Sequence, residues 1–415
     1  ADFDENETYT VDVYDDTNTL INLGTSGNVY QLGAYINQTG NTFNDKFIGN
    51  GINNNGDAVG SDPFGSVYFY FPSTAVSRIV FTVLQPNGST IRIAAMHFCS
   101  LDTDGDGIGN NADEDDDNDL VLDTDDIDDN NNGLIEISSL EQLDFIRHHL
   151  DGSALGDGIE SSTLGCFIDT GCIGYELMNN LDFDINGDGF MDADDAPYFD
   201  YDDDGENNGW LPIGDSTSPF TAVFEGNGYK IHNLFINRPG SDTATSGKNI
   251  GLFGSTVGAQ IQNIGLTGDL ASLTANFNSG NLVGSLETGS TVTASYATGS
   301  VSGAGSNIGG LVGAVSNSTV TRSYSTGAVS GEGNIGGLIG KASNASEVNS
   351  SFSTGSAAAN GNQVGGLIGL IDTSNLNTSF ATGLTTSNTT ERFLGGLVGK
   401  LQNGSTITTS YWAVD

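Results

Sequence analysis

The chain has 415 residues, with 11 Lys and Arg against 53 Asp and Glu, a formal charge of −42. That balance repels phosphate backbones and anionic headgroups, which argues against nucleic acid and against membrane surfaces as partners. Disorder is excluded as well, because 21 Phe and 13 Tyr imply a core despite the 59 Gly. No apolar run approaches the length of a membrane helix, so no membrane insertion is expected. The opening Ala1-Asp2-Phe3 suits a mature end left by signal-peptide removal, which predicts secretion to an extracellular or bacterial cell-surface setting.

Residues 1–99 carry short alternating segments rich in aromatic and β-branched side chains. Examples are Tyr9 to Tyr14, Ser66 to Phe71, Arg78 to Leu84 and Thr90 to Met96, bounded by turns such as Gln85-Pro86-Asn87-Gly88. This pattern predicts an N-terminal β-sandwich domain.

Residues 100–136 form an acidic tract in which carboxylates alternate with Gly and Asn. A calcium loop needs oxygen ligands at positions 1, 3, 5, 7, 9 and 12, with Gly favoured at position 6 and a backbone carbonyl at position 7. Asp102, Asp104, Asp106, Ile108, Asn110 and Asp113 meet all six positions, with Gly107 at the turn. Asp115, Asp117, Asp119, Val121, Asp123 and Asp126 meet them with Leu120 in the glycine position. Asp128, Asn130, Asn132, Leu134 and Glu136 make a partial set that ends on Ser139 rather than an acid. Without bound cations the same tract would be a solvated acidic linker.

Residues 137–250 are mixed. Leu140, Leu143, Ile146 and Leu150 share one helical face, Ser138 and Glu141 read as a capping box, and Gly152 lies just past the end. A short helix is predicted there, covering the open end of the repeat region that comes after it. Cys166 and Cys172 flank a Gly-containing turn and are expected to form a local disulfide. Two unpaired thiols or a zinc pair are the weaker alternatives, and Cys99 is left odd. Asp184, Asn186, Asp188, Phe190, Asp192 and Asp195 repeat the calcium pattern, with Gly189 at the turn. Asp200, Asp202, Asp204 and Glu206 begin another acidic run with no acid at position 12, and a solvated loop is expected.

From about residue 220 to 415 the chain repeats itself, with the first coils expected before 250 and the regular repeats over 251–415. Gly251-Leu252-Phe253-Gly254 returns as Asn281-Leu282-Val283-Gly284, Gly310-Leu311-Val312-Gly313, Gly337-Leu338-Ile339-Gly340, Gly366-Leu367-Ile368-Gly369 and Gly396-Leu397-Val398-Gly399. Final glycines lie 30, 29, 27, 29 and 30 residues apart. A second phrase, Ser295-Tyr296-Ala297-Thr298-Gly299, keeps the same period through Ser323, Ser351, Ser379 and Ser410. Short β segments at this period predict a parallel β-helix, one coil per repeat, with Leu and Val or Ile stacked inside and the aromatics stacked beside them. A propeller blade needs four strands and more residues than this period supplies. The overall expectation is an all-β chain: β-sandwich, acidic calcium-binding linker, capping helix and glycine-rich solenoid.

These phrases resemble the GLUG repeat family, found in large bacterial surface and secreted proteins that include adhesin-like proteins and some immunoglobulin A-cleaving peptidases. The acidic tract over 102–136 resembles thrombospondin type 3 repeats, which implies several structural calcium ions. Together the resemblances imply a secreted, calcium-stabilised structural or adhesive surface protein. Its expected partners are calcium, copies of itself in a fibre or layer, and a glycan or surface ligand.

Catalytic signatures are not found. His97, His148, His149 and His232 form no metalloprotease motif, and the charges of the repeats do not recur at coil spacing. The alternatives are a β-helix polysaccharide lyase or hydrolase, which would need clustered carboxylates on one sheet face, and a stalk displaying an enzyme encoded elsewhere in a longer chain.

Overall fold

The computed structural model describes the backbone of six strands between residues 8 and 83. It describes in full residues 115, 121–166, 171–201, 205, 207–240, 248–361, 363–388 and 393–413. The chain divides into two compact units, Ala1–Asp113 and Glu114–Asp415.

In the first unit, Thr8–Asp15 pairs antiparallel with Val76–Val83 on one side and with Lys46–Gly49 on the other. Ile36–Thr39 adds to Lys46–Gly49, and Val29–Leu32 pairs separately with Val67–Tyr70. Three of the alternating segments are therefore strands. The fourth, Thr90 to Met96, lies outside the described residues, as does Cys99.

The second unit is a parallel β-solenoid. Its strands fall into five long sheets of nine, eight, six, six and six strands, in which each strand hydrogen-bonds to its equivalent one coil away. Three sheets of six strands make about six full coils. The core is a set of columns. One runs Ile135, Tyr175, Phe224, Ile261, Val292, Val320, Val348 and Leu376, all fully buried. Another runs Phe253, Val283, Val312, Ile339 and Ile368, in strict register. The leucine of each repeat phrase sits at the corner just before this column and is buried beside it. No single coil could remove these side chains from water alone.

The glycines of the phrase act through space rather than through φ. A Cβ on Gly337 would lie 2.2 Å from the Gly366 carbonyl oxygen, and one on Gly313 would lie 2.2 Å from the Ser279 nitrogen. Left-handed backbone is carried instead by other residues. Asn263, Ala294, Arg322, Ser350, Thr378 and Thr409 occupy one position of successive coils at φ +47° to +55°.

The aromatics of the second phrase stack on the outside. Tyr296, Tyr324, Phe352 and Phe380 lie 4.7 to 4.8 Å apart and within 5° of parallel, the spacing of the strands themselves. The serine before each ring points inward and is buried from Ser295 through Ser379. Ser323 Oγ donates to Thr321 O at 2.8 Å and accepts from the backbone N–H of Ser295, one coil back, at 3.2 Å. Ser351, Ser379 and Ser410 continue the chain of bonds. An inward hydroxyl is tolerated because both its donor and acceptor capacities are used.

The helix is shorter than expected, Leu140–Phe145, continued by a 3₁₀ turn at Ile146–His148. Its cap is Ser139 and not Ser138. Ser139 Oγ accepts from Gln142 N, and Gln142 Oε1 takes the N–H of Ser139 and of Ser138. Gln at N3 closes the box as well as Glu does. Leu143 and Ile146 are fully buried in the same cluster as Ile135 and Tyr175 of the first two coils, so the helix covers that end. Tyr175 reinforces the join by donating its hydroxyl toward His149 O and Ala154 O.

Candidate metal centre

Two acidic loops fold alike. In the 184–195 loop, Asp184 accepts from the backbone N–H of Asp188 at 3.2 Å and of Gly189 at 3.0 Å, positions 5 and 6. Gly189 makes the turn at φ +84°. Asn186 Oδ1 also accepts from Asp188 N, and Asp188 Oδ1 from Phe190 N. At the far end Asp195, fully buried, takes Ile185 N and Asp192 N on its two oxygens. The chain thus wraps back on itself and brings positions 1 and 12 into one loop.

In the 128–136 loop, Asp128 accepts from Asn132 N at 3.0 Å and Gly133 N at 2.9 Å, again positions 5 and 6. Asn132 Oδ1 takes Leu134 N at 2.8 Å, and Gly133 turns at φ +83°. Ser139, at position 12, is committed to the helix. Another acid stands beside the loop, on a neighbouring coil. Leu134–Ile137 is the outermost strand of the nine-stranded sheet, and its register sets Glu136 beside Glu176. Asn130 and Asn132 donate to Glu176 Oε1 at 2.7 and 2.8 Å, and Asn227 donates to Oε2 at 2.7 Å. Glu176 is only 4 % exposed. Asn130 Oδ1 is buried and has no hydrogen-bond partner.

The electrostatics reflect crowding of like charge. Burial, and then the charges of Asp126 and Glu176, push the Asp128 carboxyl up to about 7, against the pull of the Gly133 and Asn132 amides. Burial, followed by the Asp129 carboxyl and the Glu176 charge, pushes Glu136 up to about 10. Among the described residues the ion pair is Arg147 with Asp144, which lies outside this cluster. Among those residues no three acidic, Cys or His side chains converge to ligand distance. Backbone amides hold the carboxylates apart instead, as mutual repulsion favours. The donor set is all oxygen, carboxylate, amide and carbonyl, which fits a hard divalent cation of calcium's size.

Asp200 shows the same start: its Oδ2 takes Gly205 N at 2.9 Å, with Gly205 at φ +80°. Asp202, Asp204 and Glu206 lie outside the described residues. So do the whole 102–113 set, Asp102, Asp104, Asp106, Ile108, Asn110 and Asp113, and Asp117 and Asp119 of the next loop. Of that next loop, Asp115, Val121, Asp123 and Asp126 are placed. Its turn is closed by Asp125 N and Asp126 N on Leu122 O, and Asp126 Oδ1 takes Asp128 N at 2.7 Å. Cys166 and Cys172 are joined in a disulfide, with Cα atoms 5.0 Å apart.

Glu176 is the residue that sequence reasoning did not single out. Nothing local marks it. It becomes part of the 128–136 loop only through the register of two parallel strands.

No family model matches the chain. A candidate Gly-rich membrane protein of Evansella cellulosilytica is 46 % identical over 63 residues, 15 % of this chain. That match spans 6 % of the relative's own length. Among the described residues no helix is long and apolar enough to cross a membrane. A crystal structure of a candidate immunoglobulin A1 protease from Bacteroides ovatus aligns with 68 % of this chain and 77 % of its own, at 18 % identity and a TM-score of 0.48.

Proposed function

We propose that this chain is part of a secreted, calcium-stiffened surface protein with a structural or adhesive role. The observation that carries the reading is the shared closure of the 128–136 and 184–195 loops. Each folds its first aspartate onto the amides of positions 5 and 6, in a setting dense with carboxylates. The carboxylates of Asp128, Glu136 and Glu176 would hold one ion, with Asn130 and Asn132. Asp184, Asp188, Asp192 and Asp195 would hold another, with Asn186 and the Phe190 carbonyl. Asp in place of a bidentate Glu at position 12 favours structural ions filled at extracellular concentration over a sensor. The acidic loops 102–113 and 115–126 extend the same chemistry toward the N-terminal unit. That unit, read as a β-sandwich, supplies the adhesive face toward a glycan, a surface or another copy.

Calcium bound to the native state alone stabilises it in proportion to the logarithm of its concentration. The test is a thermal melt of the full chain in millimolar calcium and in excess chelator, with calcium stoichiometry from equilibrium dialysis. A large drop in melting temperature on chelation, reversed by calcium, supports the reading. Identical melts with no retained calcium would sink it.

A further inference from the structure

Beside the capping helix and the first coils lies an open cavity of about 730 Å³. Arg147 and the loop 211–218 form one wall, and Lys248, Phe277 and Asn278 form another. The loop wall is held rigidly. Arg147 donates to Leu211 O at 3.0 Å and Pro212 O at 3.4 Å, while its guanidinium rests on Trp210 and Tyr201 and pairs with Asp144. Asp215 Oδ1 gathers the Thr217 amide, the Thr217 hydroxyl and the Ser218 amide, which ties the loop tip. A Cβ on Gly254 would lie 2.2 Å from Gly214 O, so the loop sits directly on the strand Phe253–Val257.

Two residues of the opposite wall have no role in the rod. Lys248 and Phe277 are register partners in adjacent coils. Extending that register places Ser306 and then Gly333 at the same position of the next two coils, so the stacking itself does not require a large residue there. Phe277 nonetheless presents a ring that is 39 % exposed. Lys248 has no ion pair among the described residues, in a chain that carries only 11 Lys and Arg. Asn278 beside them belongs to an amide ladder, donating to Asn249 Oδ1 and accepting from Asn307.

We infer that this cavity binds a neutral saccharide. A sugar ring presents an apolar C–H face and a rim of hydroxyls that both donate and accept. The exposed Phe277 ring and Pro212 match the face. Lys248 as donor and Asp215 as acceptor match the rim, since all three donors to Asp215 converge on Oδ1. A mostly apolar pocket with a few fixed polar groups on rigid walls is the usual form of a small-molecule site. Charge selects against an acidic sugar. Arg147 is already paired with Asp144, Asp215 stands opposite Lys248, and the chain as a whole repels anions. This inference goes beyond the calcium reading and does not depend on it, because no residue is shared with the acidic loops.

The test uses the full chain in millimolar calcium with cellotriose, maltotriose, chitotriose and trigalacturonate as probes, read by saturation-transfer NMR and calorimetry. At least one neutral trisaccharide is expected to bind more tightly than trigalacturonate. Phe277→Ser, which copies the next coil's Ser306, should weaken that binding by about tenfold with the melting temperature unchanged. Lys248→Gln should weaken it as well and provides a second variant that leaves the core intact. The inference is overturned if no neutral trisaccharide binds, if trigalacturonate binds best, or if both variants bind like the parent.

Discussion

Two residue positions inside the solenoid contradict their surroundings, and each makes a prediction. Ser325 and Ser353 are fully buried, and their hydroxyls have no hydrogen-bond partner. The neighbouring coils place Ala297 and Ala381 at the same register position. The hydroxyl therefore brings desolvation without compensation. Ser353→Ala is expected to raise stability by about 1 kcal/mol in a denaturant melt. Arg322 adopts left-handed backbone at φ +50°, where an ordinary L residue is strained. Asn263 holds the same corner earlier in the rod. Arg322→Asn should stabilise by a few tenths up to about 1 kcal/mol, measured the same way. The repeat glycines behave oppositely. Gly337→Ala would drive a methyl into the Gly366 carbonyl and the Ser353 hydroxyl, and should destabilise by about 2 kcal/mol or more.

At the scale of the element, the acidic loop and the first strand act as one device. The carboxyls of Asp128 and Glu136 are both raised in the folded, metal-free chain, to about 7 and about 10. The folded state therefore holds protons that the unfolded chain releases. Their contribution to stability is full below the unfolded values of 3.8 and 4.5, and it is lost as pH rises through the folded ones. In chelator, urea melts should show stability falling from about pH 4 up to about pH 10, most steeply below about pH 7 where both groups contribute. If calcium binds there and supplies positive charge, it should flatten or reverse that slope. Glu176→Gln removes a charge that raises both carboxyls and should reduce the slope in chelator while weakening any retained calcium. A chelator slope that the variant leaves unchanged would detach Glu176 from the loop.

For the whole molecule, the helix and the acidic loop close one end of the rod, and the other end of the described chain does not close. Column residues exposed there include Leu401, Ile407, Tyr411 and Trp412. In a solenoid each coil is stabilised by its neighbours, so losing an end frays the stack inward. If calcium secures the closed end, hydrogen exchange in chelator should accelerate first in the strands Gly174–Leu177 and Val223–Glu225. The serine-laddered coils around residues 320–380 should keep their protection longer. Uniform acceleration across all coils would show that the loops do not anchor that end.

The solenoid was legible because its signal is periodic: Leu311 and Leu338 occupy the same place in successive coils, so a local phrase states a long-range contact. The 184–195 loop was legible for a related reason, since its acidic residues lie within one short turn of chain. The inward serines were not legible, because a hydroxyl faces inward only if the adjacent coil offers a partner at the right height. Glu176 and the Lys248 and Phe277 wall were hidden for the same reason. Sequence alone determined that the chain coils and where its local acidic turns lie. Only the tertiary structure decided which side chains from different coils stand together, because parallel register, not proximity along the chain, brings them within reach.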